Sequence, residues 1–139
     1  MTRHILVVDD IPEVADTKVW VIQKLDGKEF TAEAVYGGQA CLDRLNKAPH
    51  VDLILLDMDM PLVNGADVIR ALLKMEHPPA KILPMTAWGP GWIQHWNLAE
   101  LAETPAFKHW VWPATYDKAT DAEDMMVLIH HAVGGSAEA

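Results

Sequence analysis

Residues 5–10 read ILVVDD, four apolar residues followed directly by two aspartates. Residues 53–57 read LILLD, so a second apolar run also ends in an aspartate. Short unbroken apolar runs of this kind are typical of strands that are buried on both faces of a parallel sheet. We therefore predict strands at residues 5–8 and 53–56, each of which delivers acidic side chains to its carboxyl end.

Helical patterns separate the predicted strands. Apolar residues recur at helical spacing over residues 11–22, with Pro12 near the start of this segment and Gly27 just past its end. Two further helices are predicted in the middle of the chain. The last helix is the best marked, because Thr120 and Glu123 have the spacing of a capping box and an apolar stripe follows them.

Three more strands, at residues 30–35, 81–85 and 107–111, complete an alternation of five strands and five helices. This alternation predicts an α/β domain on a five-stranded, doubly wound parallel sheet, a (βα)5 fold. Ligands of such sheets bind at the carboxyl ends of the strands. A chain of 139 residues fits one domain over residues 1–135, followed by a disordered tail at 136–139.

The composition and the charge exclude several classes of function. Half of the residues are hydrophobic, as in a globular protein with one core, and the formal net charge is -9. This acidic balance, without a basic run, predicts no nucleic-acid partner. No apolar stretch approaches the roughly 18 residues of a membrane-spanning helix, so we expect no membrane partner. A single cysteine and a start without a signal-peptide pattern predict a cytoplasmic protein.

Three aspartates, Asp9, Asp10 and Asp57, follow the two apolar runs. Because the carboxyl ends of parallel strands meet at one edge of a sheet, we expect these side chains to share a cleft. Carboxylates this close repel one another unless a cation neutralises them, and hard oxygen ligands suit Mg²⁺. The alternative is that Asp9 or Asp10 only caps the first helix and Asp57 only ends a strand. The three acids together favour a divalent-metal site.

Four short motifs lie at the predicted strand ends and in the loop after the third strand. They are VVDD at residues 7–10, LLDMDMP at 55–61, Asn64-Gly65, and Met85-Thr86-Ala87. This combination resembles the receiver domain of bacterial two-component response regulators, and the chemotaxis regulators in particular. Gly38, Cys41, Leu42 and Leu45 also resemble the family's pattern at the start of the second helix. The resemblance covers nearly the whole chain and implies the flavodoxin-like (βα)5 fold of that family.

The resemblance implies that Asp57 is the phosphoacceptor, which attacks a phosphohistidine on a sensor histidine kinase or phosphotransfer protein. It also implies that Asp9 and Asp10 hold Mg²⁺ together with Asp57 and the backbone carbonyl of Asp59. Thr86 matches the family's switch hydroxyl, although it could be an ordinary strand-end threonine. Phosphoryl transfer needs positioning and charge neutralisation more than covalent help, which agrees with three clustered acids. A downstream protein target would then detect the phosphorylated state by contact.

The chain departs from the family at the end of the predicted fifth strand. There the family has a lysine followed by a proline, whereas here the two residues are Trp112 and Pro113. Indole is a neutral donor, so a charge-assisted contact worth about 1.5–3 kcal/mol is missing. The resemblance implies a cis peptide bond before Pro113. Lys108 lies too far along the strand to substitute, and His109 takes the position of a switch aromatic.

Tryptophans concentrate after the predicted fourth strand. Five of the six lie there: Trp88, Trp92, Trp96, Trp110 and Trp112. The family often uses the face of helix four, strand five and helix five for dimers or partners, and aromatic residues are favoured interface anchors. One interpretation is therefore a homodimer through this face. The other is that the tryptophans fill space under an irregular fourth helix.

Three functions are open at this point. The first is a stand-alone receiver, which is a phosphorylatable switch and not an enzyme beyond its own phosphorylation and dephosphorylation. The second is a degenerate receiver that acts as an interaction module without phosphorylation, because the lysine is missing. The third is a phosphohydrolase that uses Asp57 and Asp59, a spacing that resembles haloacid dehalogenases. That family places its nucleophile on the first strand, whereas Asp57 follows the third, and this function would leave Asp9 and Asp10 unexplained.

Overall fold

Four parallel strands form the sheet in the part of the chain that the structure describes. The structure is a computed structural model that describes residues 2–113 and 121–134. The strands are β1 (Arg3–Val8), β2 (Phe30–Val35), β3 (Leu53–Asp57) and β4 (Lys81–Met85). Their order across the sheet is β2-β1-β3-β4. The two apolar runs are thus the central strands, and every residue of β3 is buried as predicted.

Seven α-helices connect and cover the strands within residues 2–113 and 121–134. They are α1 (Pro12–Asp26), α2 (Gly38–Lys47), α3 (Gly65–Leu73), α4 (Trp92–His95), α5 (Ala99–Ala102), α6 (Pro105–Trp110) and α7 (Ala122–Gly134). Pro12 stands in the first turn of α1, as its position predicts. The predicted cap Thr120 lies outside the described residues, and Asp121 accepts a hydrogen bond from the backbone N–H of Asp124. None of these described helices is long and apolar enough to cross a membrane.

The predicted fifth strand at residues 107–111 is wrong, because most of it lies in α6. Thr104 accepts a hydrogen bond from the backbone N–H of Phe107, and Pro105 occupies the first turn of the helix. This N-cap and this proline are helix-start signals, and they outweigh the strand propensity of the aromatic residues that follow. Within residues 107–111, Val111 makes a parallel bridge to Ile82. In the described residues, four strands and seven helices therefore replace the expected five of each.

Two apolar clusters pack on opposite faces of the sheet, which confirms the doubly wound α/β architecture. The first lies under α2, α3 and the helices after β4, and it contains Cys41 and Trp92. Burial raises the pKa of the Cys41 thiol to about 12, so this side chain stays protonated and packs as a small apolar group. The second, which we call the α1/α7 cluster, comprises Ile5, Val7, Ala15, Ile22, Phe30, Leu53, Leu55, Leu83, Met85, Met125, Met126, Ile129 and Ala132.

A charged network fastens α2 to the edge strand β2. Arg44 donates to both carboxylate oxygens of Glu33, from Nη2 to Oε1 at 2.7 Å and from Nε to Oε2 at 2.9 Å. Nε2 of His4 lies 2.7 Å from the same Oε1. The hydrogen bonds from Arg44 are the largest influence on Glu33, and they lower its pKa from 4.5 to about 2 against the opposing effect of burial.

The low pKa of Glu33 predicts a pH-dependent contribution to stability. Because the folded-state pKa lies below the unfolded value, the contribution is complete above about pH 4.5 and is lost as the pH falls toward 2. We expect Glu33→Gln to lower the free energy of unfolding by about 1 kcal/mol at neutral pH, since the pair is partly solvated, and by less in acid. Urea unfolding between about pH 7 and about pH 3 measures this difference. A loss of equal size at every pH would contradict the prediction.

Candidate functional site

Strand pairing brings the three predicted aspartates to one end of the sheet. β1 and β3 pair in parallel with Val8 opposite Leu56, so the residues that follow these two positions lie side by side. Asp9, Asp10 and Asp57 each offer a carboxylate oxygen, and these oxygens lie within 4.8 Å of one another. We call these three residues the acidic cluster. Its existence depends on the register of the sheet as well as on the sequence.

Two members of the acidic cluster are fully buried. Asp9 and Asp57 have no exposed surface, whereas Asp10 is partly exposed at the rim. Oδ1 of Asp9 accepts a hydrogen bond from the backbone N–H of Ile11 at 3.0 Å, and Oδ1 of Asp57 accepts one from the N–H of Asp59 at 3.1 Å. Ile11 is the N-cap residue of α1, and its side chain makes no capping hydrogen bond. The bond from the Ile11 N–H to Asp9 fixes the turn before the helix and leaves the burial of Asp9 beside Asp57 to be explained.

The acidic cluster fits a small divalent cation. Mg²⁺ binds oxygen ligands at about 2.0–2.1 Å in octahedral geometry, which places opposite ligands about 4.2 Å apart. The carboxylate oxygens of Asp9, Asp10 and Asp57 lie within 4.8 Å of one another, so small side-chain movements bring them into this range. Burying like charges together is unfavourable without a compensating cation. Both the spacing and the chemistry of this donor set are therefore suited to Mg²⁺.

Gly65 holds the loop after β3 close to Asp57. At the start of α3, the backbone N–H of Gly65 donates to the carbonyl oxygen of Met58 at 3.1 Å. A Cβ atom at this position would lie 2.6 Å from Cα of Met58 and 2.8 Å from the carbonyl oxygen of Asp57, closer than side chains approach. Asn64 and Asp67 fix the start of α3 through a capping box. The hydrogen in place of a side chain at Gly65 is what permits this approach.

Thr86 lies next to the strand residue that pairs with Asp57. That partner is Met85 on β4, and Thr86 follows it in an almost fully buried position. Oγ1 of Thr86 accepts a hydrogen bond from the backbone N–H of Trp88 at 3.1 Å. The Trp88 indole stacks on the ring of His95, with 3.7 Å between ring centroids. A threonine hydroxyl that accepts a bond in this way can still donate its own proton.

The sequence interpretation missed one residue of the site, Lys18. It lies on the buried face of α1 with Ala15 and Ile22, and its side chain is only 10% exposed. Its Nζ atom lies 3.7 Å from Oδ2 of Asp9. The spacing could have revealed it, because Lys18 comes three residues after Ala15 and four before Ile22, inside the predicted apolar stripe. A lysine on that face is almost always paired with an acid.

The indole of Trp112, the residue that the resemblance places at the family's lysine position, packs against the α1/α7 cluster. The backbone N–H of Trp112 donates to the carbonyl oxygen of Ile82 at 2.8 Å. The expected cis bond before Pro113 is wrong, because the described residues contain no cis peptide bond, and trans is favoured where no tight turn demands cis. His109 and Lys108 lie on α6 and not on a strand. Lys108 makes an exposed ion pair there, so it still offers no substitute.

The tryptophans divide between the core and the surface. Trp92 is buried in the first apolar cluster and Trp96 packs against it, which supports the space-filling interpretation for this pair. Trp110 and Trp112 are partly buried, and Trp88 is largely exposed. The face expected to form a homodimer contains α6 in place of a fifth strand, and the dimer itself stays a prediction.

Comparisons with known proteins agree with this geometry. The family model described as the response regulator receiver domain matches residues 5–93, more than half of the chain. The chain belongs to the response regulator receiver family. The chemotaxis protein CheY of Thermotoga maritima is 33% identical to it over 89 residues, which are 64% of this chain and 71% of CheY. The transcriptional regulatory protein CutR of Streptomyces coelicolor is 35% identical over 86 residues, which are 62% of this chain and 37% of CutR. The crystal structure of a CheY-like receiver domain protein of Methanospirillum hungatei superimposes with a TM-score of 0.67 at 25% identity, covering 90% of this chain and 89% of that one.

Membership in the family defines the general role of this receiver domain. Receiver domains are switches of two-component systems that are controlled by phosphorylation, and they interact with histidine kinases and downstream effectors. They typically bind Mg²⁺ at an acidic pocket, and the donor set of the acidic cluster suits that ion. The chain spans 11% to 37% of the length of the first three curated relatives that it matches, so the outputs of those longer proteins are not transferred to it.

Proposed function

We propose that this receiver domain accepts a phosphoryl group on Asp57 from a histidine kinase or phosphotransfer protein and signals by contact with a downstream protein. The acidic cluster is the observation that supports this most, because Asp57 is buried beside two other carboxylates within 4.8 Å. Burying mutually repelling acids together at the ends of two neighbouring strands is unfavourable unless a bound cation compensates their charge. The unit would comprise residues 1–135, and the end of this range and the tail at 136–139 lie outside the described residues.

The reaction converts the Asp57 carboxylate into an acyl phosphate. An oxygen of Asp57 forms a bond to phosphorus while the bond from phosphorus to the phosphohistidine nitrogen breaks, and the imidazole leaves with the bonding electrons. Asp9, Asp10, Asp57 and the backbone carbonyl of Asp59 would hold Mg²⁺, whose charge offsets that of the phosphoryl group. The N–H of Asp59 donates to Oδ1 of Asp57 and so orients the carboxylate for attack.

Thr86 would respond to the phosphoryl group. Its hydroxyl would donate a hydrogen bond to a phosphoryl oxygen, and turning toward that oxygen would weaken the bond that Oγ1 accepts from the Trp88 N–H. Because Trp88 stacks on His95, the displacement would pass to the segment that follows β4. This route supports a conformational response that does not require a lysine at position 112.

An apolar rim around the acidic cluster supports a protein as the phosphodonor. It consists of one exposed large side chain after each strand: Ile11, Tyr36, Leu62 and Trp88. Residues that follow parallel strands lie at the same edge of the sheet, so these side chains surround the site. Asp10, Tyr36 and Leu62 line one cleft of about 510 Å³. Exposed aromatic and aliphatic groups of this kind are favoured anchors at protein interfaces.

Acyl-phosphate formation tests the proposal directly. We expect the protein to take up one phosphoryl group from acetyl phosphate in the presence of MgCl₂, as measured by intact mass, and to lose it on treatment with hydroxylamine. A mass that stays unchanged would contradict the proposal. That result would favour the second candidate function, the phosphorylation-independent module, for which Trp112 in place of the lysine is the supporting observation. Continuous release of phosphate from a phosphomonoester would instead indicate a phosphohydrolase.

The metal requirement gives a separate prediction for Asp10. We expect Asp10→Asn to weaken Mg²⁺ binding at least roughly tenfold, because one carboxylate charge is lost from the acidic cluster. Isothermal titration with MgCl₂ measures the dissociation constant, and excess EDTA should prevent phosphorylation of the wild-type protein by acetyl phosphate. Asp43→Asn, an exposed carboxylate on α2, is the control. Equal Mg²⁺ affinity in Asp10→Asn and the wild type would place the metal elsewhere.

The apolar rim predicts a defect that depends on the phosphodonor. Leu62 is 100% exposed, so Leu62→Gln should leave stability unchanged and should not alter phosphorylation by acetyl phosphate. Transfer from a purified phosphorylated histidine kinase that acts on the wild type should fall about tenfold in kcat/KM, as expected for one interface anchor. Leu25→Gln is the matched control, since Leu25 is exposed at the opposite end of α1. Equal transfer to both variants would argue against the rim as the docking surface.

A further inference from the structure

A buried ammonium group lies against the acidic cluster. Lys18 is 8% exposed, and its Nζ atom lies 3.7 Å from Oδ2 of Asp9. Burial of a lysine is unfavourable unless its charge is compensated. The other buried residues of α1 are the apolar Ala15 and Ile22, so an apolar side chain at position 18 would pack well on this face of the helix. The presence of lysine at this position is therefore explained by its charge.

The surroundings of Lys18 allow its side chain to move. It borders a cleft of about 520 Å³ between α1 and α7 that is also lined by the carboxylate residue Glu13 and by Val14, Thr17, Val21, Ala122 and Met125. The distance of 3.7 Å to Asp9 is longer than the roughly 2.7–2.9 Å of a charged hydrogen bond. Because the carboxylate oxygens of Asp9 and Asp57 lie within 4.8 Å of one another, a small movement of this flexible side chain can carry the ammonium from Asp9 toward a group bound on Asp57.

We propose that Lys18 is the cationic partner of the acceptor site. Its ammonium offsets part of the charge of the acidic cluster at rest, and it offsets the charge of the phosphoryl group once that group is on Asp57. This inference rests on the proposed function, and it assigns to α1 the positive charge that the indole of Trp112 does not carry. That indole packs against the α1/α7 cluster, on the side of the sheet where Lys18 lies.

The proposal predicts effects of opposite sign for a cation and an anion at the same site. Removing the ammonium makes the acidic cluster more negative, so Mg²⁺ should bind more tightly. A phosphoryl group or its analogue beryllofluoride should then bind more weakly, since it loses a counter-ion. A purely structural role, in which Lys18 only holds Asp9 in position, predicts weaker binding of both. The pair of measurements therefore separates an electrostatic role from a structural one.

The experiment compares Lys18→Met with Lys18→Arg. Methionine keeps an unbranched apolar stem without the charge, and arginine keeps the charge. Lys24→Met is the matched control, because Lys24 is exposed on the same helix. MgCl₂ is titrated calorimetrically, and beryllofluoride is titrated in saturating MgCl₂ by tryptophan fluorescence. We expect Lys18→Met to bind Mg²⁺ about tenfold more tightly and beryllofluoride about tenfold more weakly, with the other two variants close to the wild type.

Two outcomes would overturn the assignment of Lys18: weaker binding of both ions by Lys18→Met, or no change in either. Circular dichroism checks that the variant folds, and Lys18→Gln replaces it if it does not. If the wild-type protein binds no beryllofluoride and takes no phosphoryl group from acetyl phosphate, the proposed function fails. In that case the Mg²⁺ titration alone decides whether Lys18 is the counter-charge of the acidic cluster. Tighter Mg²⁺ binding by Lys18→Met than by the wild type supports this role, and unchanged or weaker binding rejects it.

Discussion

Asp57→Asn is expected to abolish phosphoryl uptake completely while the fold stays intact. Asparagine keeps the shape of the side chain and an oxygen that can accept the N–H of Asp59, so the bond seen at 3.1 Å is retained. Its amide is not a nucleophile toward phosphorus, and it provides no charge for Mg²⁺. Because one of three clustered carboxylates is removed, the free energy of unfolding without metal should be unchanged or higher by about 1 kcal/mol.

Intact mass after incubation with acetyl phosphate and MgCl₂ measures this loss. Glu76→Gln is the control, because it makes the same change from carboxylate to amide at an exposed position after α3. The control should be phosphorylated like the wild type. If Asp57→Asn still gained a phosphoryl group, the acceptor would be a different residue, and peptide mapping of the modified protein would identify it.

Gly65→Ala should reduce both stability and phosphorylation. The added Cβ would lie 2.6 Å from Cα of Met58 and 2.8 Å from the carbonyl oxygen of Asp57, and both of these are backbone atoms that cannot turn aside. The start of α3 must therefore move away from the end of β3. Overpacking of this kind lowers the free energy of unfolding by about 2–3 kcal/mol. The shift also displaces the acceptor carboxylate, so the rate of phosphorylation by acetyl phosphate should fall about tenfold or more.

Urea unfolding gives the change in stability, and the time course of intact mass gives the change in rate. Gly91→Ala is the matched control: a Cβ at Gly91 would meet no atom within 4 Å, and its φ of -78° suits alanine. This control should match the wild type in rate and in stability within about 0.5 kcal/mol. Wild-type stability in Gly65→Ala would mean that the loop after β3 adapts more easily than its backbone contacts indicate.

Local sequence signals predicted the strands that carry the site. The apolar runs that end at Asp9 and Asp57 form strands that are buried on both faces, because helices cover both sides of the sheet. The proline at position 12 marked the start of α1 in the same way. The predicted fifth strand is wrong because residues 107–111, although they have strand propensity, follow Thr104 and Pro105, which start a helix.

The acidic chemistry of the site was determined by the sequence itself, because the placement of aspartates directly after buried strands is a local property of the chain. Their separation and burial, and the position of Lys18, were decided by the tertiary structure. These depend on the register of β1 with β3 and on the packing of α1 against the sheet. A helical lysine and an aspartate nine residues earlier in the chain come together only when the helix folds back on the sheet, and residue spacing alone does not fix that distance.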